Sequence, residues 1–223
     1  MRFFHGTDHI IEVPVYRGGK RCNDYGYGFY TTEDCEIAKE WACGRNRDGI
    51  VNAYEFDPSG LEVLYLNSPE YGILTWLAIL AHYRSYWQKA SIAEEAKEYL
   101  EKYFFVDPEQ YDVVIGYRAD DSYFSFAQDF VSNAISLRKL SRSMRLGKLG
   151  EQVVLKSERA HERIRFVDFE EAGAGEYYSR KINRDLEARR SYRETKLSLE
   201  SLEDIYMLDI MREGMKADDP RLR

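Results

Sequence analysis

Three cysteines are too few and too awkwardly spaced to staple this chain or to hold a metal. Cys22, Cys35 and Cys43 are odd in number and form no C-x-x-C pair, so neither a disulfide framework nor a thiolate metal site is expected. That usage predicts a reduced, cytoplasmic setting. No apolar run is long enough for a bilayer: the longest, Ile73 to Ala81 with Thr75 inside it, falls far short of roughly 20 residues. No membrane association is therefore expected. Cationic charge is not in excess either. The net charge of −7 argues against a surface that binds phosphate backbones throughout, and leaves only local basic patches open. Met1-Arg2-Phe3-Phe4 runs directly into a polar motif, so no secretory leader is expected. Internal repeats and low-complexity segments are absent.

What is present suits an enclosed globular core. Apolar residues make up 44% of 223, enough for one domain of typical size plus an appendage. The 18 tyrosines suit a surface that binds rings or partners. Arg2-Phe3-Phe4-His5 reads as a short strand, and Glu12 to Tyr16 as a second. Tyr16 to Gly28 is a loop of Gly, Asn, Asp and Arg, the composition of a binding segment. Phe29-Tyr30-Thr31 is a strand. Thr31 or Thr32 then caps a helix whose apolar face is Ile37, Ala38, Trp41 and Ala42, and Gly44 ends it. Strands follow at Ile50–Phe56 and Glu62–Leu66, separated by the Asp57-Pro58-Ser59-Gly60 turn.

Residues 69–104 are helical in two or three pieces, Asp112–Gly116 is a buried strand, and Phe124–Met144 reads as one helix. Gln152–Leu155 is a further strand, and Ser157 opens a helix containing Ala160 and Ile164. Beyond Glu176 the chain turns strongly charged. Leu199, Leu202, Ile205, Tyr206 and Ile210 then fall near helical spacing, so the tail reads as two helices.

The densest chemistry lies in the first 41 residues. His5 ends a strand beside Gly6, where an imidazole can bond a ribose hydroxyl and a bare backbone can meet an amide. Gly26-Tyr27-Gly28-Phe29-Tyr30 brings an aromatic out of a tight turn, and Trp41 follows 11 positions after Tyr30. The order describes a slot with a polar floor and two aromatic walls, which fits a flat, amide-bearing ring such as nicotinamide. Gly26 and Gly28 lack the third glycine of a dinucleotide fingerprint.

These residues carry a resemblance. His5-Gly6-Thr7 and YGYGFYTTEDCEIAKEWA (25–42) resemble the ADP-ribosyltransferase superfamily of diphtheria-toxin type, which includes the poly(ADP-ribose) polymerases. NDYGYGFYTT, YDVVIGYRADD and DIMREGMKADDPRL are most similar to the bacterial family known as DUF3990. The resemblance implies an α+β, ADP-ribosyltransferase-like split β-sandwich over residues 1–172, with a helical extension at 173–223 packed on it. It implies NAD as co-substrate, no metal, and transfer of ADP-ribose to a macromolecular acceptor, protein or nucleic acid. It further implies a bacterial cytoplasmic protein of toxin, defence or effector type, with an antitoxin-like protein as a partner. His5, Tyr30 and Trp41 take the nicotinamide-riboside positions, joined in the dinucleotide set by Gly6, Thr7 and Gly28. Arg17 and Arg21 are candidates for the pyrophosphate, with Arg45 and Arg47 as rivals.

The superfamily's late-strand carboxylate falls at Glu151-Gln152, and strand alternation puts only one of the two on the ligand side. The resemblance places Gln152 there, a departure that keeps a hydrogen bond and loses a charge; Glu151 facing in would restore the usual triad. Restoring that charge with Gln152→Glu is expected to favour NAD cleavage. Asp120 or Asp121, after a buried strand, can orient an acceptor or act as a base. The basic stripe from Arg138 to Lys148 can meet nucleic acid or an acidic partner. Two readings follow: an ADP-ribosyltransferase, or a non-catalytic module that binds NAD, ADP-ribose or a protein through the same slot.

Overall fold

The computed structural model describes residues 1–84, 91–119, 121–146 and 150–222. The chain is α+β, with two sheets and, among the described residues, eight α-helices. One sheet joins β1 (Arg2–Thr7), β3 (Gly49–Phe56) and β7 (Ile164–Ala172) in the antiparallel order β1-β3-β7. The other has the order β2-β6-β5-β4, from β2 (Phe29–Thr31), β6 (Glu151–Leu155), β5 (Val113–Tyr117) and β4 (Val63–Tyr65). Only its β4–β5 pair is parallel. The two sheets touch through one backbone bridge: Phe4 N–H donates to Thr32 O at 2.8 Å, and Thr32 N–H returns to Phe4 O at 3.0 Å.

Alternation along the strands divides the core. Phe3, Phe29, Tyr54, Phe56, Val113, Val153 and Leu155 pack between the sheets. Leu64, Val114 and Val154 point the other way, into the main core. There they meet α2 (Ile73–Tyr83), α3 (Ser91–Tyr103), α4 (Asp121–Val131), α5 (Leu137–Ser143) and the C-terminal helices. α2 is apolar nearly all round and is correspondingly buried on every side. On the first sheet, α1 (Cys35–Ala42) lies so close to β1 that a Cβ at Gly6 would fall 2.0 Å from Ala38 O. The glycine at position 6 is fixed by this helix contact.

Several local expectations fail for identifiable reasons. Glu12–Tyr16 is irregular, not a strand: Pro14 offers no N–H for a ladder, and the segment bends over the cavity described below. Asp34, not a threonine, caps α1, accepting from the Glu36 and Ile37 N–H groups. The helix expected over 124–144 is two, broken at Asn133, whose φ is 64°, and restarted by the Ser136 cap. The helix after Ser157 is only α6 (Glu158–His161), and Ile164 begins β7 instead of continuing it. Ser198–Tyr206 is non-helical, with Leu199 and Leu202 fully exposed, and α8 spans only Met207–Arg212.

The tail begins with α7 (Ala174–Leu197) directly after β7. None of its described residues lines the cavity, yet it completes the main core. Tyr192, Met207, Ile210, Met215 and Leu222 are all buried there, and the Tyr192 ring stacks on Phe126 at 3.8 Å. Ile210→Ala should cost about 2–5 kcal/mol in urea unfolding, because it leaves a hole that the surrounding core closes only in part. A chain ending at Gly175 should lose its cooperative thermal transition, and a sharp transition in that fragment would disprove the tail's part in the core.

Candidate functional site

A cavity of about 870 Å³ opens where β1, β2, α1 and the end of β6 meet under the loop from His9 to Asp24. Each lining group arrives by a different local device. His5, two residues before the end of β1, is half-buried, with its ring 4.6 Å from that of Phe29. Its Nδ1 lies 2.7 Å from Tyr30 O. A carbonyl only accepts, so Nδ1 carries the proton and Nε2 is the acceptor. Burial holds this imidazole below its ordinary pKa of 6.5, which keeps it neutral. Gly6 lines the cavity with backbone, since its absent side chain faces α1.

Tyr30 offers its ring, not its hydroxyl. The Oη–H donates to Gly26 O at 2.7 Å, and the same oxygen accepts from Tyr25 N–H at 3.1 Å. Burial, then the nearby Asp24 charge, push this phenol well above its usual range, so it stays protonated. Gly28 also lines the cavity; a Cβ there would meet Val154 Cγ1 at 2.5 Å. Trp41 projects from α1 into the same space. Its ring is covered by the Arg118 guanidinium, 3.6 Å from the centroid, where the sequence predicted a stacked ligand ring.

The late strand resolves into two faces. Gln152 is only 3% exposed and lines the cavity. Its Nε2 donates to Asp24 Oδ2 at 2.9 Å and to Tyr117 O at 3.2 Å. Glu151 lies on the opposite face, where Tyr65 Oη donates to it at 3.1 Å and Asn67 Nδ2 also bonds it. Thr7, Arg17 and Arg21 do not line the cavity. Thr7 turns to Asp8, and Arg17 lies 3.9 Å from Glu109 on the surface. Arg47 pairs with Asp8 at 3.0 Å, and Arg45 is exposed. The guanidinium groups that do line the cavity are Arg84 and Arg118. Asp120, the Asp121 side chain and Lys148 lie outside the described residues.

Sequence reasoning passed over Asp24. It is 5% exposed, and four donors converge on it. Arg84 Nε and Nη2 approach Oδ1 at 2.8 and 2.6 Å, while Ala119 N–H and Gln152 Nε2 reach Oδ2, each at 2.9 Å. A buried carboxylate survives only with such partners. The available signal was its place in Asn23-Asp24-Tyr25-Gly26, a turn sequence just ahead of Tyr30. Among the described residues, no group of three or more His, Cys, Asp or Glu could hold a metal ion.

This geometry sets a stability cost against the Gln152→Glu substitution. Gln152→Glu would remove two donors and set a carboxylate against the Asp24 carboxylate. Like charges so close cannot both ionise, so the introduced group's folded pKa rises above its unfolded value of about 4.3. The variant should match the parent below about pH 4 and lose about 2–4 kcal/mol as pH rises to neutrality. Urea unfolding across that range checks it; a variant as stable as the parent at neutral pH would refute the Gln152–Asp24 contact.

No curated protein and no solved structure matches the chain. A family model described as "Protein of unknown function (DUF3990)" matches residues 1–166, which hold every residue of the cavity, and the chain belongs to that family.

Proposed function

We propose that this protein is an NAD-dependent ADP-ribosyltransferase, built on an ADP-ribosyltransferase-like split sandwich. The observation that carries the reading is the convergence of His5, Tyr30, Trp41 and Gln152, from four elements and both sheets, on one cavity. Its volume, about 870 Å³, falls within the range of roughly 300–1,000 Å³ typical of ligand sites. The donor set suits NAD: a neutral imidazole and an amide for ribose hydroxyls, an aromatic face for nicotinamide, and two guanidinium groups for the pyrophosphate.

In this reading His5 Nε2 accepts from the nicotinamide ribose. Tyr30 presents its ring to the nicotinamide. Gln152, with both N–H groups spent on Asp24 and Tyr117, offers Oε1 to the ribose 2′-hydroxyl. Arg84 and Arg118 replace Arg17 and Arg21 as the pyrophosphate-binding pair. The ADP-ribose passes to a macromolecular acceptor, and a bacterial cytoplasmic role of toxin or effector type, with a protein that restrains it, fits such chemistry. The second reading, a module that binds NAD or ADP-ribose without cleaving it, draws on the uncharged Gln152 and on the ion pair that Arg84 makes with Asp24.

Calorimetry with NAD and chromatography of released nicotinamide test the two. Binding with release supports the enzyme; binding alone supports the module; neither defeats both. His5→Ala and Tyr30→Ala should each weaken NAD binding about tenfold, the effect of one lost hydrogen bond or one lost stacking contact. Unchanged affinity in both folded variants would remove the slot. The pH dependence has a defined sign. Because burial lowers the His5 pKa from 6.5, the neutral ring persists below that value. NAD affinity should therefore stay level from alkaline pH down through 6.5 and fall only beneath it.

A further inference from the structure

Two carboxylates line the cavity among the described residues, Glu12 and Asp24. They differ in leverage. Glu12 is exposed on the overhanging loop, where water screens its charge. Asp24 is 5% exposed, and a charge in that position acts through a far lower effective dielectric. Its two oxygens are also unequal. Arg84 reaches only Oδ1, at 2.8 and 2.6 Å, while Oδ2 is held by neutral donors, one of them Gln152 Nε2 at 2.9 Å. The oxygen that no cation touches therefore lies against the side chain of the late strand.

We infer that Asp24 supplies the negative charge that Gln152 does not, and that Gln152 is a positioning residue holding that carboxylate toward the nicotinamide ribose. This rests on the ADP-ribosyltransferase reading above. The C1′–N bond of the nicotinamide riboside breaks with both electrons passing to the ring nitrogen, so nicotinamide leaves neutral. The ribose carbon carries the positive charge until an acceptor's lone pair forms the new bond at C1′, and the acceptor's proton passes to solvent. Asp24 faces that developing charge across the cavity. A fixed carboxylate placed before the reaction begins needs no reorganisation when the charge appears. Arg84 lines the cavity too, so an entering pyrophosphate offers it a second anion and loosens its hold on Oδ1.

The test uses the full chain with NAD, reading kcat and KM for nicotinamide release beside Kd from calorimetry. Asp24→Asn should lower kcat about 100-fold, with Kd for NAD changed by less than about threefold. The amide it introduces turns a donor toward Gln152 Nε2 and Ala119 N–H, so a second variant separates charge from fit. Asp24→Asn combined with Gln152→Glu restores donor to acceptor between positions 24 and 152, leaves Tyr117 O and Ala119 N–H without their present partners, and moves the single charge onto the strand. It should recover at least about tenfold of the lost kcat. A residue that only braced the loop would raise KM and Kd in Asp24→Asn and leave kcat in place, which overturns the inference. Recovery of stability without recovery of kcat in the double variant overturns it as well. Wild-type protein that binds NAD but releases no nicotinamide removes this inference and keeps the slot; wild-type protein that does not bind NAD removes both.

Discussion

The cavity depends on a buried ammonium group. Lys156, immediately beyond β6, is 4% exposed, and its Nζ donates to Tyr25 O at 2.6 Å, to Tyr27 O and to Glu109 Oε1. Burial pushes its pKa down, and the Glu109 carboxylate pulls the other way. An unpaired charge at that depth would cost several kcal/mol, so the chain is held wherever these acceptors can be supplied. Two of them are carbonyls of the Tyr25–Gly28 turn. That turn also needs Gly26 at φ 73°, with the Tyr83 ring against it. β6 thus grips the loop from both of its ends, by Lys156 at the backbone and by Gln152 at Asp24. Tyr30, bonded back to Gly26 O, takes its place in the cavity from the same clamp.

The C-terminal helices are held differently. α7 carries polar residues on most of its surface and pairs with α1 through Arg180–Glu36 and Arg184–Glu40. The exposed Arg180–Glu36 pair contributes little, roughly 0–1 kcal/mol, while Arg184 chiefly satisfies a buried carboxylate, since Glu40 is only 3% exposed. The stacked Tyr192 and the buried Met207 and Ile210 hold the tail more strongly, filling the main core from outside the sheets. Position in the chain and position in the core are therefore unrelated here. A segment that looks like an appendage by composition closes the core that carries β6.

The sequence made part of the cavity lining legible because those residues sit on regular elements. Period-two alternation reduced Glu151 and Gln152 to a binary choice, and the order His5, Tyr30, Trp41 survived folding as one wall of one cavity. The cationic lining of the cavity was not legible. Arg17 and Arg21 stand in the right loop but face outward, whereas Arg84 follows α2 and Arg118 follows β5, brought in by tertiary packing alone. β7 was hidden because most of its outer positions are charged and, besides Ala172 at its end, only Ile164 and Phe166 pack inward, a pattern too short to outweigh the preceding helical turn. Asp24 was hidden because an acidic residue in a glycine-rich turn has a ready local explanation, and its burial depends on a strand 128 residues away.

That long-range contact explains why a glutamine stands on the late strand. Gln152 must give protons to two acceptors, Asp24 Oδ2 and Tyr117 O, and a carboxylate can give none. Placing a second carboxylate at this spacing would force one of the two to hold a proton at neutral pH, at a cost of about 1–3 kcal/mol. The hydrogen bond lost with it would add about 1 kcal/mol more. The forced protonation is the larger effect, so with Asp24 in place the charge at this corner can be carried by the loop or by the strand, and not by both. Gln152 is the residue that lets the loop carry it, because its amide matches the carboxylate in shape and supplies the proton that the carboxylate needs.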